Sequence, residues 1–199
     1  PDARASTANY LKRAGWRSGE AWGMEVRVPA GFNVAQAGRT QRRSLPAWKA
    51  LGVTTLQGDA ITAPGLPADA RAALLLPAGN TGPALLVFRN YDAIYSYNAA
   101  ESYALAIALL AQRLRGEGGL HAAWPTDDPG LSRAERRELQ QRLVDRGHDI
   151  GPIDGMVGKL TREALAVEQA RLGLPADGRA GQKVLQALRA DAPSPAPAR

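Results

Sequence analysis

Two copies of one pattern stand twenty-three residues apart near the end of this 199-residue chain. The first is Asp154-Gly155-x-x-Gly158-x-x-Thr161-x-x-x-Leu165, the second Asp177-Gly178-x-x-Gly181-x-x-Val184-x-x-x-Leu188. In each, the Asp-Gly pair supplies a tight turn and the next Gly lets the backbone enter a helix at a sharp angle. The final Leu then sits one face along that helix. A further helix is predicted before the pair, from Leu131 to about Arg146, opened by Ser132 and Glu135 in capping-box spacing and apolar at Leu139, Leu143 and Val144. A duplicated turn-plus-helix behind one leading helix restricts residues 131–190 to a small three-helix module.

With 45% apolar residues the chain can bury a real core. Its length fits one or two domains at roughly 100–200 residues each, and the repeat favours two. The net charge of +6 is evenly spread: residues 1–130 carry 13 basic and 10 acidic side chains, residues 131–199 carry 12 and 9. That suits a polyanionic partner such as an acidic wall polymer, or simply a solvated surface. It speaks against nucleic acid, which calls for a concentrated basic patch with interleaved aromatics.

Several chemistries are excluded or unsupported. There is no cysteine, hence no disulfide and no thiolate zinc site. The two histidines, His121 and His148, stand in a linker and a turn without metal-ligand spacing, so no metal and no cofactor is expected. Neither a phosphate-binding loop nor a Gly-x-Ser-x-Gly elbow occurs. The longest apolar run, Ala104 to Ala111, falls far short of the roughly twenty residues of a membrane span. No signal-peptide core opens the chain, which reads as soluble or as the mature part of something longer.

The remaining residues predict an α+β fold, helices with a small antiparallel sheet. Asp2 caps a first helix to about Ala14, with Ala5, Ala8, Leu11 and Tyr10 as its inner side. A strand runs over Trp22 to Val28, and residues 31–43 read as loop. Ser44 starts a short helix with Pro46 in its first turn, and Val53 to Leu56 is a short strand candidate. Ala73 to Leu76 and Leu85 to Phe88 are compact apolar strands joined by a turn over Pro77 to Pro83. From Asn98 or Ala99 to Leu114 a helix is expected, apolar at Tyr103, Ile107, Leu110 and Leu114. Residues 117–130 are a Gly- and Pro-containing flexible linker with Trp124 as a candidate anchor, and 191–199 a disordered Pro-rich tail.

The densest polar and aromatic stretch is Arg89 to Ala111. Asn90, Tyr91, Tyr95, Tyr97, Asn98 and Tyr103 include four of the five tyrosines. Flat apolar rings with amide and hydroxyl neighbours suit sugar binding. The same residues also suit a plain structural role: Asn98 and Glu101 have helix-cap spacing, and Tyr103 lies on the apolar helix face.

The segment LLLPAGNTGPALLVFRNYDAIYSYNAAESYALAIALLAQRL resembles the last conserved stretch of the membrane-bound lytic murein transglycosylase B family. The matching features are the Pro77-to-Pro83 turn, Asn90-Tyr91, and Tyr97-Asn98 through Ser102-Tyr103-Ala104-Leu105-Ala106. Asp2 to Leu11, ending at Gly15-Trp16, is similar to that family's preceding motif. Leu131 to Ala190 closely resembles the peptidoglycan-binding domain found at the ends of many bacterial cell-wall hydrolases. Glu168 departs from it where an aromatic is common.

The resemblance implies part of a lysozyme-like transglycosylase domain over residues 1–116, joined to the module at 131–190. Family enzymes use one Glu as general acid between N-acetylmuramic acid and N-acetylglucosamine, and the sugar's own hydroxyl closes to a 1,6-anhydro product. One carboxyl with a raised pKa suffices, unlike the carboxylate pair of other glycosidases. That Glu stands in a Glu-Ser-x-Phe-Gly motif absent here. Glu101-Ser102 resembles it only superficially, so no residue is assigned as catalytic.

Carried over, Tyr97, Asn98 and Tyr103 line the sugar cleft with Asn90 and Tyr91 beside them, and Asp154, Met156, Gly158 and Thr161 line the module's groove. The implied partners are peptidoglycan glycan strands and a missing N-terminal catalytic portion, in the periplasm or at the outer membrane. The rival reading is a noncatalytic peptidoglycan-binding or scaffold protein.

Overall fold

The structure, a computed structural model, describes residues 2–191. The tail expected over 191–199 therefore lies, from residue 192 onward, outside the described residues. Among these there are seven α-helices and five strands, in the order α1 (Ala3–Arg13), β1 (Gly23–Val26), β2 (Arg42–Ser44), α2 (Leu45–Ala50), β3 (Arg71–Leu75), β4 (Pro77–Asn80), β5 (Ala84–Val87), α3 (Arg89–Asn98), α4 (Glu101–Leu114), α5 (Arg133–Val144), α6 (Lys159–Arg171) and α7 (Gln182–Ala190). They form two compact units. Among the described residues, one is drawn from 2–32, Gln36–Pro77 and Gly82–Ala123, the other from 124–191 with Asn33–Ala35 and Ala78–Thr81.

The first unit is built on a four-stranded antiparallel sheet ordered β1-β5-β3-β2. Its central strands are covered on both faces, which is why they read as unbroken apolar runs rather than as an alternation. Ala72 and Leu74 of β3 and Ala84 and Leu86 of β5 join a core with Phe32, Leu45, Trp48 and Val53. The alternate residues, Ala73, Leu75, Leu85 and Val87, pack with Tyr91, Ile94, Ala104, Leu105 and Ala108 of α3 and α4. The sheet's twofold side-chain period thus feeds two separate cores. Trp48, fully buried, donates its indole N–H to the Ala72 carbonyl at 2.9 Å. Ser44 caps α2 through Ala47 N, with Pro46 in the first turn.

Several expectations are corrected. The loop over 31–43 holds a 3-10 turn at Val34–Gln36 and ends in β2, which pairs with β3. Residues 53–56 make only an isolated bridge, Thr54 to Arg27, and the Pro77-to-Pro83 turn contains β4. Helix α1 keeps its Asp2 cap, but Ala5, Ala8 and Tyr10 are exposed and Leu11 only half-buried, and the contact that face makes with α3 is through the edge of Tyr10 rather than through a buried apolar stripe. Helix α4 starts at Glu101 with Ala100 as a cap residue that makes no side-chain hydrogen bond, so Asn98 caps nothing. Its inner face is Ala104, Leu105 and Ala108, while Ile107, Leu110 and Leu114 are exposed. Small alanines allow the close approach of α3, and that approach decides which stripe is buried.

The predicted flexible linker is held at both ends. The Glu25 side chain, 7% exposed, accepts hydrogen bonds from the backbone N–H groups of His121 and Ala122 at 2.7 and 2.8 Å and lies 3.2 Å from His121 Nδ1. Gln112 reaches the Gly118 carbonyl. Within the second unit, Asp128 is gripped by Arg179 and accepts from Lys183 N, and Gln182 N donates to the Pro129 carbonyl. Trp124 is 47% exposed and anchors nothing by burial.

In the second unit α5, α6 and α7 enclose Leu139, Leu143, Ile150, Leu165, Val184, Leu185 and Leu188. The capping box of Ser132 and Glu135 is complete. Val144, expected inside, is 39% exposed. The departure at Glu168 acquires a physical account. Burial pushes this carboxyl up, but hydrogen bonds from His148 at 2.8 Å and Arg171 at 3.0 Å outweigh burial and hold it below the ordinary range.

The duplicated turns are duplicated in atomic detail. Gln140 Oε1 accepts from Gly155 N at 2.7 Å, and Gln169 Oε1 accepts from Gly178 N at 2.7 Å. Their amide nitrogens donate to Asp154 Oδ1 and Asp177 Oδ1. Each Asp in turn accepts from the backbone N–H two residues on, Met156 or Arg179. Such Asx turns need both partners, and a buried Gln closes each one.

Candidate functional site

Helix α3 brings the tyrosine-rich stretch to an exposed corner of the first unit. It ends at Ala99, which adopts the left-handed conformation (φ 45°), and α4 begins two residues later. A non-glycine residue at positive φ is held there against a steric cost by its surroundings. The reversal brings Tyr97 of α3 and Tyr103 of α4 together: their rings are stacked, 15° apart with centroids 6.3 Å from one another. Tyr97 is 65% exposed. Tyr10 of α1 meets Tyr97 edge-on, at 5.4 Å and 90°, and its hydroxyl pairs with Ser96 Oγ at 3.1 Å. Asn98 is exposed beside them, its amide bonded to no other described residue. The result is an aromatic cluster with the exposed Tyr97 ring at its surface and a free amide beside it, which suits the apolar faces and amide or hydroxyl groups of an amino sugar.

The structure separates Asn90 and Tyr91 from this platform. Both are fully buried. Asn90 Oδ1 accepts from Arg17 N, and its Nδ2 donates to the Arg17 and Glu20 carbonyls, all at 2.8 Å. It ties the segment after α1 to the start of α3. Tyr91 donates to the Glu101 carbonyl at 3.0 Å, and burial raises its hydroxyl pKa. This pair shapes the corner and offers a ligand no surface. Asp92 on the same helix is paired with Arg42 and Arg39, and Arg39 lies over the Tyr95 ring at 3.9 Å.

Sequence reasoning did not assign Tyr10 to this site. With Ser6, Asn9, Arg13 and Ala14 of α1 and its C-cap and Ser96 of α3, Tyr10 lines a groove of about 530 Å³. The signal lay in the sequence as the spacing of Ser6, Asn9, Tyr10 and Arg13, one polar face of a helix.

Glu101 opens α4 with its side chain exposed. A general acid for glycoside cleavage is a carboxyl held in an apolar pocket; Glu101 occupies none. Among the described residues no cluster of His, Asp and Glu could hold a metal ion.

In the second unit, Asp154 is drawn into its own turn. Hydrogen bonds from Met156 N and then Gln140 hold its carboxyl below the usual range. Thr161 is buried, Gly158 forms the exposed start of α6, and Met156 is 63% exposed near Ile153 and Leu160, at 37% and 52%. Of the four residues read as groove-lining, Met156 and Gly158 present surface.

A family model described as transglycosylase SLT domain matches residues 1–112, and one described as peptidoglycan binding domain matches residues 132–188. SltB3 from Pseudomonas aeruginosa, solved in complex with NAG-anhNAM-pentapeptide, is similar at 47% identity and a TM-score of 0.85, over 94% of this chain and 50% of that one. The same protein in complex with NAG-NAM-pentapeptide gives the same figures. The Escherichia coli lytic transglycosylase Slt35 in complex with calcium is 28% identical over 57% of this chain and 34% of that one, with a TM-score of 0.44. No curated protein matches. The chain thus spans about half the length of SltB3.

Proposed function

The chain belongs to the transglycosylase SLT domain family, and from that premise we propose that it is the glycan-holding and wall-attaching portion of a lytic transglycosylase of bacterial peptidoglycan. The whole enzyme cleaves the bond from N-acetylmuramic acid to N-acetylglucosamine and leaves 1,6-anhydro-N-acetylmuramic acid ends. The general-acid Glu comes from polypeptide preceding Pro1, and these 199 residues alone do not cut. The enzyme works in the periplasm or at the outer membrane.

The observation that carries this reading is the exposed Tyr97–Tyr103 stack with Asn98 at its edge, on a corner that holds no carboxyl in an apolar pocket. Such a corner suits holding a sugar, and the acid that cleaves it belongs, in this reading, to the rest of the enzyme. The exposed stripe of Ile107, Leu110 and Leu114 on α4 supports the same view, since such a stripe fits cover by the rest of a catalytic domain. SltB3, nearly half identical and twice as long, was solved with muropeptides bound. In the second unit, Met156, Gly158 and the neighbouring Ile153 and Leu160 form the surface offered to the wall, with Asp154 and Thr161 shaping it from within. The domains run over 1–116 and 131–190, and tethering to the wall raises the local concentration of glycan at the cleft.

The test is the polypeptide encoded by the full reading frame, incubated with purified sacculi. We expect 1,6-anhydromuropeptides by mass spectrometry, lost when the Glu of an upstream Glu-Ser-x-Phe-Gly motif is changed to Gln. Reducing-end products, or anhydro products that survive that change, contradict the proposal.

A further inference from the structure

The groove between α1 and α3 is continuous with the tyrosine platform, because Tyr10 belongs to both. Its character is different. The platform is aromatic, whereas the groove is lined by Ser6, Asn9 and Arg13, with Ser96 at its wall engaged by Tyr10 and by the Ala93 carbonyl. Residues 6, 9, 10 and 13 share one helix face, so these groups point the same way. Arg13 is exposed and forms no ion pair among the described residues. Nor does Lys12 beside it, and the only acidic residue on α1 or its cap is Asp2, whose carboxylate is engaged with Arg4 N at the far end.

Because Tyr10 touches Tyr97 and lines the groove, a substituent of a sugar held at Tyr97 has the groove within reach. Amide and hydroxyl groups there match a peptide backbone, and an unpaired guanidinium matches a carboxylate, which it can engage through two parallel hydrogen bonds. Resting on the proposed function, we infer that the groove reads the peptide borne by the glycan, and that Arg13 binds a free carboxylate of that peptide. Arg13 is a specificity-determining residue: it separates peptide-bearing strands from bare or amidated ones.

Three ligands test this on the full 199-residue chain: GlcNAc-MurNAc-pentapeptide, the same compound with its peptide carboxyls amidated, and GlcNAc-MurNAc without peptide. The ring signals of Tyr10 and Tyr97 are followed by NMR, so that binding at the second unit does not enter the readout. Wild type is expected to bind the free-acid ligand about tenfold more tightly than the amidated one. Arg13→Gln removes that preference without weakening the peptide-free ligand, and Arg13→Lys restores part of it. An unchanged preference in Arg13→Gln overturns the inference while leaving the platform intact. If instead no ligand moves the Tyr97 signals, and Tyr97→Ala binds as wild type does, the platform reading itself is wrong.

Discussion

Tyr97 and Tyr103 stack across the α3–α4 reversal with their centroids 6.3 Å apart, and Tyr97 leaves 65% of its surface in solvent. A core aromatic is placed the other way, as Tyr91 is, fully enclosed. Tyr97→Ala is therefore expected to leave the melting temperature within about 2 °C, since exposed substitutions usually change stability little. Affinity for soluble glycan strands should fall about fivefold to thirtyfold, corresponding to roughly 1–2 kcal/mol for a lost aromatic contact. Titration calorimetry beside a thermal melt measures both.

Asn90 should behave in the opposite way. Its three hydrogen bonds are made inside the protein, and removing them leaves the Arg17 N–H and two carbonyls short of partners. Asn90→Ala is expected to destabilise the first unit by about 2–4 kcal/mol in urea titrations. At temperatures where the variant is folded, glycan affinity should stay near the wild-type value. A selective loss of affinity with unchanged stability would place Asn90 in contact with the ligand after all.

The two copied turns are not equally tolerant. Gly155 and Gly178 have φ of 78° and 67°, so alanine is strained at either by roughly 1 kcal/mol or more. An added methyl at 155 meets Arg133 Cγ at 2.8 Å and the Arg133 backbone carbonyl at 3.0 Å, whereas at 178 it meets the Arg162 backbone carbonyl at 2.8 Å. A backbone carbonyl therefore bounds both sites, and it lies closer at 178. Both Gly155→Ala and Gly178→Ala are expected to cost about 1 kcal/mol or more in urea denaturation, with Gly178→Ala the larger.

The clasp at Glu25 makes the connecting segment shorter in practice than its composition suggests. Glu25→Ala removes the acceptor for His121 N and Ala122 N. Local opening sets proteolytic susceptibility when closing is fast. Thermolysin cleavage near Leu120 should accelerate about tenfold in this variant, while cleavage beyond Ala123 keeps its wild-type rate. Equal rates at Leu120 in both proteins would show that the clasp does not hold in solution.

What could be read from the sequence follows the strength of local signals. The apolar runs of β3 and β5, the Ser44 and Ser132 caps and the helical leucines Leu165 and Leu188 are all where patterning put them. Helix α3 escaped notice because Phe88 gives it no side-chain cap and its stretch is polar and aromatic, while Asn98 and Glu101 offered a competing cap signal that the fold does not use. The buried face of α4 escaped because Ala104 and Ala108 carry little hydrophobic weight beside Tyr103, Ile107 and Leu110. Only the contact with α3 selects the small residues. Tyr97, Asn98 and Tyr103 lie close together in sequence, whereas the contact of Tyr10 with Tyr97 depends on tertiary packing between helices far apart in sequence. Gln140 and Gln169 carried no sequence signal of the clamps they make.

The central claim is that this chain holds peptidoglycan and does not cut it. The direct measurement sediments purified sacculi with the 199-residue protein and analyses the supernatant for 1,6-anhydromuropeptides by mass spectrometry. The account expects the protein in the pellet and no anhydro product above the level of protein-free sacculi. Anhydro products released by this chain would mean that a carboxyl within it, Glu101 first among them, performs the chemistry, and would contradict the account.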